Sequence, residues 1–102
     1  MAIIDISVVP VGTESPSVSQ YVAGAVRILK NETDIRYELT PMNTIIEGDL
    51  GKLMSLAQRM HESAFDAGAR RVVTTIRIDD RRDKLLTMNG KKKSVSDKLD
   101  RP

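Results

Sequence analysis

Between Tyr37 and Gly48 the chain gathers a phenol, a thioether, an amide, a hydroxyl and a carboxylate: Tyr37, Met42, Asn43, Thr44 and Glu47, set around a turn at Pro41-Met42-Asn43. Such a mixture can cradle a small polar heterocycle, with apolar surface for the ring faces and a few fixed polar groups for its edge. An ordinary hairpin would carry similar residues, Thr44 preferring a strand and Glu47 lying at a solvated strand end. Other chemistries find less support. The chain has no cysteine nucleophile, no glycine-rich phosphate cradle and a single histidine, His61, which reads as a half-buried packing or surface residue. Asp79, Asp80 and Asp83 are interleaved with Arg81, Arg82 and Lys84, so local charge compensation explains them better than a cation site. The expectation is therefore binding rather than catalysis, with no metal and no cofactor.

The elements that must position the hairpin follow from periodicity. Residues 2–9 alternate, with Ile4, Ile6 and Val8 on one side and Ile3, Asp5, Ser7 and Val9 on the other, which predicts a strand. Ser15-Pro16 supplies a cap and a first-turn proline for a helix carrying Val18, Tyr21, Val22, Ala25, Val26 and Leu29 on one stripe, with Asn31 as its stop; Ser17 with Gln20 is an alternative capping box. Ile35, Tyr37 and Leu39 mark a second strand, and Thr44-Ile45-Ile46-Glu47 a short third. Asp49 caps a second helix whose inner face runs Leu50, Leu53, Met54, Ala57, Met60, Ala64 and Phe65, with Gly68 closing it. Residues 70–79 alternate again as a fourth strand. The order β-α-β-β-α-β predicts an α+β, ferredoxin-like sandwich: a four-stranded antiparallel sheet with two helices on one face. The other face, with Ile3, Val9, Val73, Asp5, Ser7, Arg36, Glu38 and Arg77, is expected to need a partner subunit to cover it. Residues 85–102 form a short C-terminal extension, read as contacting an oligomer. There Asn89-Gly90 signals a hairpin, while residues 94–99 suit one helical turn.

The totals agree with one domain spanning residues 1–102, 40% apolar and 29% charged. No apolar run approaches the roughly 20 residues of a membrane span, the first residues lack a secretory pattern, and the absence of cysteine favours the cytoplasm. Charge is uneven: residues 1–69 carry a net −4 and residues 70–102 a net +6. The basic end suits an anion or a subunit contact. Nucleic acid is disfavoured because the chain's aromatics are Tyr21, Tyr37 and Phe65, two of them on helical faces. An acylphosphatase-like enzyme is disfavoured because Val11-Gly12-Thr13-Glu14 offers no basic cradle.

Several motifs taken together resemble the thiamine-binding, YkoF-like protein family. They are Val9-Pro10-Val11-Gly12-Thr13, Tyr37-x-Leu39-x-Pro41-Met42-x-Thr44-x-Ile46-Glu47-Gly48, His61, Gly68-Ala69-x-Arg71-Val72, Ile78-Asp79-x-Arg81 and Lys93-Ser94-Val95. Asn43 stands where a glycine is common, and asparagine tolerates a positive φ better than most residues. The resemblance implies a ferredoxin-like fold, assembly into homodimers or homotetramers, and binding of thiamine or its hydroxymethylpyrimidine portion without turnover. It also implies roles. Thr44 and Asn43 would meet the pyrimidine edge, Glu47 the amino group or the thiazolium charge, and Met42 or Tyr37 a ring face, with Asp5 and Ser7 on the adjacent strand in second rank. Tyr37 shares its parity with Ile35 and Leu39, so a core role at the rim stands beside the ligand role. A structural or regulatory oligomer without a small ligand, or an RNA-binding module, is the competing reading.

Overall fold

Strand alternation and helical stripes resolve into seven elements in the computed structural model, which describes residues 1–100. They are β1 (Ala2–Pro10), α1 (Ser19–Arg27), β2 (Arg36–Leu39), β3 (Thr44–Gly48), α2 (Leu50–Asp66), β4 (Val72–Asp79) and α3 (Met88–Leu99). The sheet runs β2-β3-β1-β4 and every neighbouring pair is antiparallel, as the ferredoxin-like reading requires. Ile4 pairs with Ile46 and Ile78, and Ile6 with Thr44 and Ile76, so these side chains share the face that α1 and α2 cover. Ile4, Ile46, Leu53 and Met60 are sealed between the layers, with Leu29 just beyond α1.

α2 begins and ends by the expected chemistry. The Asp49 carboxylate accepts from the Lys52 amide at 3.3 Å. At the other end Gly68 takes φ +103°, and the Ala69 amide reaches back to the Ala64 carbonyl at 3.1 Å, closing a Schellman motif. α1 departs from expectation. It starts at Ser19 with Val18 at the cap position and no side-chain cap. Ser15, expected as the cap, instead accepts the Ser17 amide on its own hydroxyl at 3.1 Å, a local turn that competes with helix. The helix also ends at Arg27, and a looser turn carries the chain to Asn31.

The largest departure is α3. Where the Asn89-Gly90 pair signalled a hairpin, both residues lie in the first turn of a 12-residue helix whose cap is Thr87, accepting from the Gly90 amide at 2.9 Å. α3 crosses the sheet face opposite to α1 and α2, so the expectation that this face could not be covered within the chain is corrected for its lower part. Ile3 is 8% exposed there, while Val9 and Val73, paired higher on the same face, are 41% and 49% exposed. Arg101 and Pro102, the end of the expected extension, lie outside the described residues. No described helix is long and apolar enough to cross a membrane.

Candidate functional site

The β2–β3 turn is built around one hydroxyl. Thr40 Oγ1 accepts from the amides of Met42 at 3.3 Å and Asn43 at 3.1 Å, and its proton is shared between the Asn43 Oδ1 at 2.8 Å and carbonyl at 3.0 Å. The Thr40 amide closes the loop onto the same carbonyl at 2.9 Å. Only glycines take a positive φ among the described residues, so Asn43 holds the turn by hydrogen bonds and needs no left-handed backbone. Between this turn, β1 and α1 lies a cleft of about 170 Å³ whose apolar walls include Val8, Val18, Val22 and Met60. Thr44 lines it. That residue is 4% exposed, and Ser7, Thr40 and Asn43 are the other polar residues along a largely apolar wall. Met42, 85% exposed, and Leu39, 56% exposed, stand at the mouth.

Strand register divides the seven expected site residues. Thr44 pairs with Ile6 and Tyr37 with Ile46, so both face the helices, and Met42 and Asn43 sit in the turn between them. Tyr37 lies on the edge strand, 37% exposed and outside the cleft wall. Glu47 pairs with Ile3, and alternation puts it with Asp5 and Ser7 on the opposite face; Ser7 borders the cleft only from its strand. The structure therefore brings Met42, Asn43 and Thr44 together and sets Glu47 apart. Glu47 is 4% exposed, and its Oε2 accepts from the Met88 amide at 3.0 Å, so it anchors the first turn of α3.

A second concavity, a groove of about 410 Å³, lies on the open face beside α3. Ile3 and Ile45 form its floor. Three ion pairs wall it: Arg77 with Asp5 at 2.8 Å, Lys91 with Asp79 at 2.6 Å and Lys92 with Glu38 at 2.8 Å. Strand parity had placed Asp5, Glu38 and Arg77 on one face, but nothing in the pattern announced that α3 would return Lys91 and Lys92 to them. The linker into α3 is stiffened by two further pairs. The Arg81 guanidinium grips Asp83 and holds its carboxyl down to about 2, and the Arg82 guanidinium likewise lowers Asp80. His61 lies on α2, its Nδ1 2.6 Å from the Thr74 hydroxyl and its ring edge-on to Phe65 with centroids 5.4 Å apart, which ties α2 to β4.

Residues 4–96, from β1 into α3, match the family described as thiamine-binding protein. The chain belongs to that family. Among its relatives, a UPF0045 protein of Bacillus subtilis, YqgV, is 52% identical over 97% of this chain and 98% of its own length. A UPF0045 protein of Staphylococcus xylosus is 55% identical over 93% of this chain and 92% of its own. A crystal structure from Methanocaldococcus superposes with a TM-score of 0.85 at 32% identity, covering 93% of this chain and 95% of the other. The family match spans both the hairpin cleft and the open-face groove, so membership by itself does not choose between them.

Proposed function

We propose that the protein binds thiamine, or its hydroxymethylpyrimidine half, reversibly and without turnover, with the pyrimidine ring in the cleft between the β2–β3 turn and α1. The observation that carries this reading is Thr44, a polar residue only 4% exposed that faces the helix side of the sheet and lines a largely apolar slot. A hydroxyl reachable from the slot can both donate to and accept from the edge of a heterocycle. The slot is small. Ligand pockets commonly span roughly 300–1,000 Å³, and about 170 Å³ suits one substituted ring, with the thiazolium left at the mouth against Met42 and Leu39. With the Asn43 side-chain oxygen held by Thr40, its nitrogen would donate to a ring nitrogen. Tyr37 would stand outside the slot, and Glu47 would act by fixing α3.

Calorimetry with thiamine and with hydroxymethylpyrimidine tests the reading. Both should bind, and Thr44→Val should weaken both by about tenfold, the worth of one hydrogen bond of ~1.4 kcal/mol. Absence of heat and of competition at millimolar ligand rejects it, leaving the oligomer without a small ligand. The open-face groove is the second reading, favoured by its larger volume and by Asp5. If it is correct, Asp5→Asn weakens binding and Thr44→Val does not. The proposal includes assembly into a homodimer or homotetramer, since Val9 and Val73 leave the upper open face apolar and uncovered. Sedimentation equilibrium showing only an 11.3 kDa species would reject that part.

A further inference from the structure

Next to the groove, with which it shares Asp79 and Lys91, the linker after β4 and α3 border a cup of about 460 Å³ whose lining carries one carboxylate, Asp79. Lys91, Ser94 and Lys98 recur at helical spacing and line one wall, and Arg81 and Lys84 come from the linker. Two of the four cations are already answered: Arg81 by Asp83 and Lys91 by Asp79. Lys84 and Lys98 have no carboxylate within ion-pair reach among the described residues, so the cup holds two unbalanced positive charges. The cup is also anchored. Leu86 is 6% exposed, the Arg82–Asp80 pair braces the linker, and the Thr87 hydroxyl caps α3. Most of the first amides of α3 are already used, since Met88 gives its N–H to Glu47, Gly90 to the Thr87 hydroxyl and Lys91 to the Thr87 carbonyl.

We propose that this cup binds a phosphate dianion, free or as a phosphate monoester, through Lys84 and Lys98 with the Ser94 hydroxyl donating to a third oxygen. A phosphoryl group carries about −1.5 to −2 charges near neutral pH and three strong acceptor oxygens, which matches two spare ammonium groups and one hydroxyl. A carboxylate would leave one cation unanswered. A nucleic-acid strand would need stacking platforms, and no aromatic residue lines the cup. The site lies beyond the end of β4 on the open-face side, whereas the pyrimidine cleft lies on the helix face, so neither proposal rests on the other.

Titration of the full chain with inorganic phosphate and with phenyl phosphate, at constant ionic strength set by chloride, tests it. The two ligands separate a free anion from a phosphoryl group presented on a larger molecule, and saturable binding of either supports the cup. Lys84→Gln with Lys98→Gln should lower the affinity at least about tenfold, the scale of losing charge-assisted contacts. Lys93→Gln, at a lysine that pairs with Asp97 and does not line the cup, should leave it unchanged. In the unmodified protein the ammonium resonances of Lys84 and Lys98 should shift with phosphate, a readout independent of how the variants fold. No saturation at millimolar phosphate, or equal binding by the double variant, overturns the proposal. Short RNA that outcompetes phosphate with a steep salt dependence overturns it in favour of a nucleic-acid surface.

Discussion

On the helix face of the sheet Ile4, Ile46, Leu53 and Met60 are removed from water by side chains from both layers, whereas on the open face α3 buries none of its 12 residues. α3 is held instead by a carboxylate under its first turn and by Lys91 and Lys92 reaching down to Asp79 and Glu38. Dispersion and hydrophobic burial grow with contact area and resist local opening, while exposed ion pairs contribute little and respond to salt and pH. The helix face is thus suited to hold the strands in register and the open face to change. The cleft on the first is thus preformed, and the groove beside α3 adjustable.

The comparison predicts a steep gradient of mutational effects. Leu53→Ala should be the most damaging: Leu53 is fully buried and packs so close to Gly48 that a Cβ there would lie 3.3 Å from it, and its truncation leaves a cavity costing about 2–5 kcal/mol. Thermal unfolding checks this, and a loss below about 1 kcal/mol would show that the core relaxes more than the contrast allows. Glu47→Ala comes next. It removes a charge-assisted bond worth roughly 1.5–3 kcal/mol, and because α3 is the element released, the loss should concentrate there. Amide exchange should accelerate over Met88–Lys91 while β1 and β3 keep their protection. Uniform loss of protection would mean that Glu47 serves the sheet and not α3.

How much of this was legible follows the same divide. β1 and α2 were readable because each carries an apolar period against the core, β4 because its residues alternate about Val72 and Ile76, and α2 adds an aspartate cap and a glycine stop. α1 was misplaced at its start because Ser15-Pro16 satisfies a cap pattern locally, yet Ser15 spends its hydroxyl on a turn before the apolar stripe begins. Of α3 only the turn at 94–99 was legible; its first half was not, because the helix has no apolar period and its tertiary anchor is Glu47, 41 residues before Met88. The hairpin cleft was half legible: the turn chemistry marked Asn43 and Thr44, but parity alone already separated Thr44 from Glu47, a three-residue offset on one strand. The basic cup was visible only as a run of charge until the linker brought Lys84 opposite Lys98.

Lys92→Ala tests the weak end of the gradient. The Lys92–Glu38 pair is 2.8 Å long with both side chains well exposed, so its loss should cost no more than about 1 kcal/mol and should fade in high salt. A larger effect would show that the pair also orders the groove, and the open face would then be stiffer than its exposure implies.

The smallest expected effect concerns acid and the linker. Asp83 is held down to about 2 by hydrogen bonding to the Arg81 guanidinium, against an ordinary value of 3.8. Its folded-state value is depressed, so the preference for the clamped linker is fully present above the ordinary carboxylate range. Acidification through that range protonates Asp83 when unclamped, while the clamped carboxylate keeps its charge until the pH reaches about 2. The clamp should therefore weaken between these limits and be gone below the lower one. The pair is solvent-exposed, so this registers as local loosening of the linker and scarcely in the melting temperature. The Asp83 carboxyl carbon followed by NMR should titrate well below its ordinary midpoint, and Arg81→Gln should return it there. An ordinary midpoint in the unmodified chain would mean that the linker is not clamped in solution, and the wall of the phosphate cup would then have to form with its ligand.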